Sequence, residues 1–358
     1  MSRVAAIDCG TNSIRLLVAD VEGSTLHELT RQMEIVRLGA GVDRTGELAP
    51  EALARTFTAL RDYAEQIERL GASRVRMVAT SATRDARNRH ELVAGVRAIL
   101  GVDPEVISGN EEAALSFGGA IGDLVGRAGS FDAGSFDAGS FDAGSSAGSV
   151  EGAPTGPVAT PILLADIGGG STELVLGDVS GVRAARSVNV GCVRLAERHL
   201  HDDPPTGAQA AAIVADVHAA LDLAARTVPL TEAATLVGVA GTVTTVAALA
   251  ADLPEYDPTR IHLSVTTAEQ VAQVTDRLLR MTHDQRAALP VMHPGRVDVI
   301  AAGALVLRTL VERTGAAAVV ASERDILDGI ALALAAAPGA PATGPGRAAP
   351  PVTAGPSV

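Results

Sequence analysis

The chain has 358 residues, a formal net charge of −13 and no lysine, so that all 29 of its basic residues are arginine. This length favours two domains over one, and the 47% of apolar residues is enough for two hydrophobic cores. The negative charge excludes a broad basic surface of the kind that binds nucleic acid, although arginines and a metal ion can still attract a polyanion into one cleft.

The two cysteines, Cys9 and Cys192, are too few for a disulfide framework and indicate a reducing compartment. Asp8 interrupts the first apolar run after four residues, which argues against a signal peptide, and no uninterrupted apolar run approaches the length of a membrane span. We therefore expect a cytoplasmic protein with neither a membrane nor a nucleic-acid partner.

Strands and helices alternate along residues 1–125, which is typical of an α/β domain. The strands are predicted at 4–8, 14–21, 33–39, 74–79 and 104–108, and the helices at 50–70, 90–100 and 111–125. Apolar residues recur at helical spacing between Pro50 and Leu70, and Gly71 is a typical helix end.

The composition changes at 126–160, where Gly, Ser, Ala and Asp dominate and the pentapeptide SFDAG occurs three times from Ser130. Such a segment cannot bury a core, and we expect a flexible linker. A calcium-binding repeat is a weaker alternative, because the period is five and each repeat has a single Asp. Six of the 18 prolines lie in the last 21 residues, which predicts a disordered tail at 337–358.

The second half repeats the alternation and predicts a second α/β domain at 161–321. Its strands are predicted at 161–167, 173–178, 236–241 and 317–322, and its helices at 207–226, 242–251, 266–281 and 297–313. Thr266 and Glu269 have the spacing of a capping box at the start of the third of these helices. A last helix, within 322–336, is expected to pack on the first domain.

One sequence pattern occurs twice in the chain. Residues 8–20 read DCGTNSIRLLVAD and residues 166–178 read DIGGGSTELVLGD, so that Asp8 aligns with Asp166. Each copy follows an apolar run and leads into another, which predicts a β-hairpin whose tip carries a carboxylate, glycines and hydroxyls. Such a tip can bind phosphate through N–H groups and hydroxyls while the carboxylate holds a divalent cation. Two tips indicate two half-domains that face each other across a phosphate-binding cleft.

Three further segments could carry chemistry, and each has a structural alternative. ISGNEEA at 107–113 places two glutamates at a helix start, where Ser108 and Glu111 also fit a capping box. In ATSATRDARNR at 79–89, Arg84 is the arginine best placed to reach an anion, whereas arginines in such a run usually lie on a solvated helix face. GVAGTVTT fits a backbone that lines a phosphate chain and equally a close strand–helix contact.

Six segments follow each other in the order and spacing of one family: DCGTNSIRLL, ATSATRDA, ISGNEEA, DIGGGSTEL, VGCVRL and GVAGTVTT. The chain resembles the exopolyphosphatase/guanosine pentaphosphate phosphohydrolase (Ppx/GppA) family, in its short two-domain type, over about residues 1–125 and 160–336. The resemblance implies two ribonuclease H-like α/β domains of the actin-like ATPase superfamily, which also contains Hsp70 and sugar kinases. These domains are expected to face each other across an interdomain cleft.

The resemblance also implies roles for individual residues. Glu112 is expected to be the general base, and Mg²⁺ is the expected cofactor, held near Asp8, Asp166 and Glu173. The residues expected to bind phosphate are Gly10, Thr11, Asn12, Ser13, Arg84, Gly168, Gly169, Gly170 and Ser171.

We expect an enzyme, an exopolyphosphatase that releases orthophosphate from the end of inorganic polyphosphate. That hydrolysis needs a positioned water, a base and positive groups for the developing charge, which these residue types supply. A guanosine pentaphosphate (pppGpp) 5′-phosphohydrolase is the first alternative, because the same site serves both. A non-catalytic polyphosphate or nucleotide sensor and a kinase of the same superfamily are weaker alternatives, since Glu112 is intact and no acceptor pocket is evident. Family resemblance alone suggests a homodimer.

Overall fold

Residues 2–124 and 158–337 are described by the structure, which is a computed structural model. These residues form two lobes, each built on one mixed β-sheet. The predicted linker and tail lie outside the described residues except at their edges, so both stay predictions.

The first lobe contains a five-stranded sheet within residues 2–124. Its strands are β1 (Ser2–Cys9), β2 (Ser13–Glu22), β3 (Thr25–Ile35), β4 (Arg74–Ala79) and β5 (Glu105–Val106). Its helices are α1 (Val42–Thr45), α2 (Pro50–Leu70), α3 (Ser81–Asp85), α4 (Arg89–Leu100) and α5 (Gly109–Leu124). The strand order is β3-β2-β1-β4-β5, in which β1, β2 and β3 are antiparallel neighbours and β4 and β5 run parallel to β1.

The second lobe contains a six-stranded sheet within residues 158–321. Its strands are β6 (Ile162–Ile167), β7 (Thr172–Asp178), β8 (Gly181–Val188), β9 (Thr235–Val239), β10 (Val265–Thr267) and β11 (Ala318–Ala321). Its helices are α6 (Cys192–His199), α7 (Gly207–Ala225), α8 (Ala240–Ala250), α9 (Pro258–Ile261), α10 (Ala268–Arg280), α11 (His283–Ala287) and α12 (Ile300–Thr314), with a 3₁₀ turn at Pro294–Arg296. Helix α13 (Ile326–Ala336) follows this lobe.

The two sheets have the same topology. The order β8-β7-β6-β9-β11 in the second lobe repeats β3-β2-β1-β4-β5 in the first, and β10 is added at one edge. In each lobe a three-stranded antiparallel meander continues into parallel strands. This order confirms the predicted fold class, which is α/β with two ribonuclease H-like domains.

Most element boundaries agree with the sequence predictions, and the exceptions have physical reasons. Helix α2 begins at Pro50 and ends at Gly71, whose φ of 70° suits glycine. Strand β3 begins at Thr25, well before the predicted residue 33, because its polar side chains hide the alternation and pairing with β2 fixes the strand. The capping box of α10 uses Thr267 and Gln270, one residue after the predicted pair.

Helix α7 is the one helix of the described residues that is long and apolar enough to cross a membrane by length and composition alone. Its buried side chains, Ile213, Val217 and Leu221, pack in the core of the second lobe. Core helices pass the same test of length and composition.

Helix α13 leaves the second lobe and packs on the first. Its Ile326, Leu327 and Ile330 are buried with Val4 and Leu17 of the first sheet. It also crosses α5 so closely that each helix presents a glycine to the other's backbone: a methyl group added at Gly119 would overlap the carbonyl oxygen of Asp325, and one added at Gly329 would overlap that of Leu115.

We expect this crossing to make two adjacent glycines of α5 respond oppositely to the same substitution. Gly119→Ala forces α5 and α13 apart and should destabilise the protein by about 1–3 kcal/mol, as overpacking does. Gly118 is exposed with nothing within 4 Å of an added methyl group, so Gly118→Ala should stabilise the helix by about 0.5–1 kcal/mol. Urea unfolding of both variants measures the difference. A similar midpoint for both would show that the crossing is loose.

Candidate active site

The two hairpins of the duplicated pattern turn towards one cleft between the lobes. In the β1–β2 turn, the N–H of Gly10 donates to the carbonyl of Ser13 at 3.0 Å. In the β6–β7 turn, the N–H of Gly168 donates to the carbonyl of Ser171 at the same distance. These turns are named the first and second glycine loops: residues 10–13 and 168–171.

A cavity of about 540 Å³ lies between the lobes and brings most of the predicted site residues together. The predicted residues that line it are Asp8, Gly10, Thr11, Asn12, Ser13, Glu112, Asp166, Gly168, Gly169 and Ser171. The predicted residues that do not line it are Arg84, Gly170 and Glu173. The GVAGTVTT segment contributes Gly241, Thr242 and Thr244 to the wall of the cavity. The same segment forms the junction between β9 and α8.

Three of the buried carboxylates that line the cavity, those of Asp8, Glu112 and Asp166, are close enough to repel one another. Asp8 and Asp166 lie at equivalent positions near the ends of β1 and β6, and Glu112 lies in the first turn of α5. The hydroxyl of Ser116 donates to Asp166 at 2.5 Å, and Nη1 of Arg84 donates to Oε2 of Glu112 at 3.1 Å.

Burial controls the ionisation of these carboxylates. It raises the pKa of Glu112 to about 8; Arg84 opposes this rise, and repulsion from Asp166 adds to it. Burial also raises the pKa of Asp166 to about 6 and raises the pKa of Asp8. Clustered carboxylates with raised pKa values are typical of sites that transfer protons or bind a cation.

Arg84 and Glu173 do not line the cavity but contact residues near it. Nη1 of Arg84 donates to the carbonyl of Ile107 at 2.9 Å as well as to Glu112, so the guanidinium fixes the Glu112 carboxylate. Glu173 is buried opposite Asp166 in the hairpin and accepts a hydrogen bond from the hydroxyl of Ser187 at 2.7 Å. Burial and the neighbouring carboxylates raise the pKa of Glu173.

The two glutamates of ISGNEEA have different surroundings. Glu111 is exposed and accepts from the N–H of Ser108 at 2.8 Å, while Oγ of Ser108 accepts from the N–H of Glu111 at 3.3 Å. Together they form the capping box that the sequence allowed. Glu112, the next residue, turns to the buried face of α5 and into the cleft. Glu111 is therefore the capping residue of α5, and Glu112 is the glutamate that faces the cleft.

Arg15 and Asp325 are two charged residues of the site that were not predicted. Arg15 stands opposite Asp8 in the β1–β2 register, and its guanidinium bridges Asp8 and Asp325. Asp325 caps α13 by accepting from the N–H of Leu327 at 3.0 Å. The sequence signal for Asp325 is the Asp-x-x-Asp spacing with Asp328 before an apolar helix, which fits a capping box.

The carboxylates fit Mg²⁺ as a cation shared between protein and substrate. Oδ1 of Asp8 is buried without a hydrogen-bond partner in the described structure, and Asp166 lines the same cavity. Within residues 2–124 and 158–337, no three His, Cys, Asp or Glu side chains are grouped closely enough to hold a metal ion. Mg²⁺ commonly binds one or two carboxylates together with water and substrate phosphates, which matches this donor set.

Part of the cavity wall consists of arginines and apolar residues. Arg31 lies there in an ion pair with Asp328 at 2.7 Å, and Nη1 of Arg296 donates to the hydroxyl of Thr245 at 3.2 Å. The hydroxyl of Tyr256 donates to Glu323, an acceptor at 2.6 Å. The apolar residues of this wall include Met33, Ile35, Pro290, Val291 and Met292.

The chain is similar to proteins of known class along nearly all of its length. Exopolyphosphatase 2 of Mycobacterium tuberculosis (strain ATCC 25618 / H37Rv) is 49% identical over 348 residues, which cover 94% of this chain and 99% of that protein. The crystal structure of an exopolyphosphatase-like protein matches with a TM-score of 0.81 and 42% identity, over 93% of this chain and 97% of the other.

A structure of the Aquifex aeolicus PPX-GPPA enzyme matches with a TM-score of 0.71 and 27% identity, over 93% of this chain and 99% of that one. The sequence pattern of the Ppx/GppA phosphatase family matches residues 17–131 and 153–336. These matches span both lobes and the cleft between them. The chain therefore belongs to the Ppx/GppA phosphatase family.

Proposed function

We propose that this protein is a Mg²⁺-dependent exopolyphosphatase that hydrolyses the terminal phosphoanhydride bond of inorganic polyphosphate. The observation that carries the proposal is the buried carboxylate of Glu112, which faces a cleft lined by both glycine loops and is fixed by Arg84. The similarity to a protein named exopolyphosphatase 2 supports the choice of substrate.

In this mechanism, Glu112 accepts a proton from the water that attacks the terminal phosphorus atom. Arg84 keeps the carboxylate in place, because one guanidinium nitrogen contacts both Oε2 of Glu112 and the fixed carbonyl of Ile107. N–H groups and hydroxyls of the two glycine loops donate to phosphate oxygens and stabilise the charge that develops there. Mg²⁺, held by Asp8 and Asp166 when bound, would neutralise negative charge on the phosphate chain.

A second substrate is favoured by the apolar residues of the cavity wall. A bare phosphate chain has no apolar part that could pack on such residues. A base or a ribose could pack on Met33, Ile35 and Val291. Arg31 and Arg296 of the same wall could pair with further phosphates. We therefore propose pppGpp as the alternative substrate of the same Glu112 site.

The test is phosphate release from long-chain polyphosphate, tripolyphosphate and pppGpp by the purified full-length protein. The proposal expects release from polyphosphate at a higher kcat/KM than from pppGpp. The reverse order would establish the alternative substrate. Tight binding of every substrate without release would contradict both proposals and identify a sensor.

We expect removal of Mg²⁺ by EDTA to abolish release and the addition of Mg²⁺ in excess to restore it. The reason is that Asp8 and Asp166 would otherwise repel the phosphate chain, being buried acids in the same cleft. We expect Asp166→Asn to raise the Mg²⁺ concentration needed for half-maximal rate by about 10-fold or more, in the range typical of lost metal-site groups. An EDTA-treated protein with full activity would refute the metal assignment.

A further inference from the structure

The two glycine loops touch each other across the lobe boundary. The hydroxyls of Thr11, in the first loop, and Ser81, in α3, share a hydrogen bond of 2.8 Å. A Cβ atom added at Gly170 would lie 2.6 Å from Oγ of Ser81 and 2.7 Å from Oγ1 of Thr11, which is closer than side chains tolerate. Position 170 therefore requires glycine, because the second loop packs directly on the first lobe. Gly170 does not line the cavity.

One arginine of the second lobe, Arg194, stabilises this contact between the second glycine loop and the first lobe. Nε of Arg194, in α6, donates to the carbonyl of Gly170 at 2.8 Å. Its two terminal nitrogens cross to the first lobe, where Nη1 donates to Asp43 at 2.5 Å and Nη2 donates to Asp85 at 2.6 Å. The side chain is only 12% exposed, so these charge-assisted bonds are partly shielded from solvent.

Two further residues of α6, Glu197 and Arg198, also bind residues of the first lobe. Arg198 pairs with Asp43 at 3.0 Å, and the carboxylate of Glu197 accepts from the N–H of Gly41 at 3.1 Å. Burial opposes ionisation of Asp43, but Arg198 and Arg194 outweigh it and lower the pKa of Asp43. The acid thus stays charged at neutral pH and keeps its pairs.

We propose that Arg194 is a positioning residue that holds the second glycine loop against the first, so that both loops contact the same phosphate chain. The inference rests on the proposed function, because it assigns Arg194 to the binding of that substrate. Arginine suits the position because its planar fork donates in three directions to the acceptors Gly170, Asp43 and Asp85, which the single ammonium group of lysine cannot reproduce.

Without Arg194 the lobes should separate more easily, and the substrate must then bring the loops together as it binds. When the competent state is populated only fractionally, apparent affinity falls by that fraction. We expect Arg194→Gln to raise KM for polyphosphate by about tenfold and to leave kcat within about twofold, since the bound complex is still closed. Arg194→Lys should recover part of the KM, because it keeps the charge.

The matched control is Arg313→Gln, which removes an exposed pair with Asp222 in the second lobe, remote from the loops. It should leave KM unchanged. Asp85→Asn tests the same contact from the first lobe and should raise KM about threefold, because one of the three bonds is weakened. Unchanged KM in both Arg194→Gln and Asp85→Asn would overturn the proposal, and so would an equal KM increase in Arg313→Gln.

A readout without substrate separates this proposal from the proposed function. The amide of Gly41 bonds to Glu197 across the lobe contact, so its hydrogen exchange reports separation of the lobes. We expect Arg194→Gln or, if that variant does not fold, Asp85→Asn to accelerate this exchange by about tenfold without added ligand. Unchanged Gly41 exchange would overturn the positioning role even if polyphosphate is hydrolysed. Accelerated exchange in a protein that hydrolyses no substrate would uphold the contact and refute the proposed function.

Discussion

Replacing Glu112 by glutamine is expected to lower kcat for phosphate release by about 10²–10⁴-fold, the range typical of a lost general base. Glutamine has nearly the same shape, and its amide oxygen can still accept from Arg84, so the arginine stays in place. The amide cannot take a proton from the attacking water. KM should therefore change little, and steady-state kinetics on polyphosphate separates the two effects.

The adjacent glutamate provides a matched control. Glu111 is exposed and only caps α5 through Ser108, so Glu111→Gln should leave kcat within about twofold and change the stability of the protein only slightly. If Glu111→Gln and Glu112→Gln lose activity equally, the first turn of α5 matters for folding and not for proton transfer. If Glu112→Gln keeps the parent rate, the base must be sought elsewhere in the cleft.

The pH dependence of the parent enzyme should follow the same carboxylate. A base works only when it is deprotonated, so kcat/KM should rise with pH through the pKa of Glu112 and then level off. Burial places that pKa near 8 in the protein alone, above the ordinary value of 4.5. Mg²⁺ bound in the cleft would stabilise the ionised form, so added Mg²⁺ should move the acid limb to lower pH. The residual activity of Glu112→Gln should lack this limb.

Much of the site could be predicted because its parts are local in sequence. The hairpin of each glycine loop lies within one short segment, and the Asp8 and Asp166 positions follow from the duplicated pattern. Strand β8 was missed because it shows no clear alternation, and helix α6 was missed because its amphipathic pattern spans only eight residues. Arg194 was missed with α6, since its acceptors Asp43 and Asp85 belong to the other lobe.

Other features depend on side-chain direction, which spacing does not reveal. Arg84 was expected at the phosphate chain, and the structure places its guanidinium against Glu112, outside the lining of the cavity. Glu173 was expected near the metal, and it lies buried beside Ser187. Their predicted roles remain to be tested by mutation. The pair of Arg15 and Asp325 joins positions 310 residues apart, and only the return of α13 to the first lobe brings them together.

That pair leads to the largest effect on stability that we expect. Arg15 is the cation between Asp8 and Asp325, whose side chains are 7% and 6% exposed. Arg15→Met removes it and leaves two buried carboxylates facing each other, a loss that typically costs about 3–5 kcal/mol of unfolding free energy. In the exposed pair of the same hairpin, Arg3→Met should have a much smaller effect on unfolding, because Arg3 is 41% exposed and solvent screens its attraction to Asp20.

The pH dependence of unfolding distinguishes a lost cation from lost packing. In the parent, Arg15 and Arg31 lower the pKa of Asp325 despite its burial, so this group stabilises the fold above its unfolded pKa of about 3.8, and the contribution is lost as pH falls through the lower folded pKa. In Arg15→Met the pKa of Asp325 should rise instead, and the pKa of Asp8, which burial already raises, should rise further. The folded variant then binds more protons than the unfolded chain, so its stability falls as pH rises from about 4 towards 7.

We therefore expect the difference in unfolding free energy between parent and Arg15→Met to be greatest at pH 7 and to shrink by half or more at pH 5. Urea titrations at the two pH values measure it, and adding Asp325→Asn to Arg15→Met should recover part of the loss at pH 7 by removing one of the repelling charges. A loss that is the same at both pH values, and that Asp325→Asn does not relieve, would mean that Arg15 acts through its packed methylene groups and not through its charge.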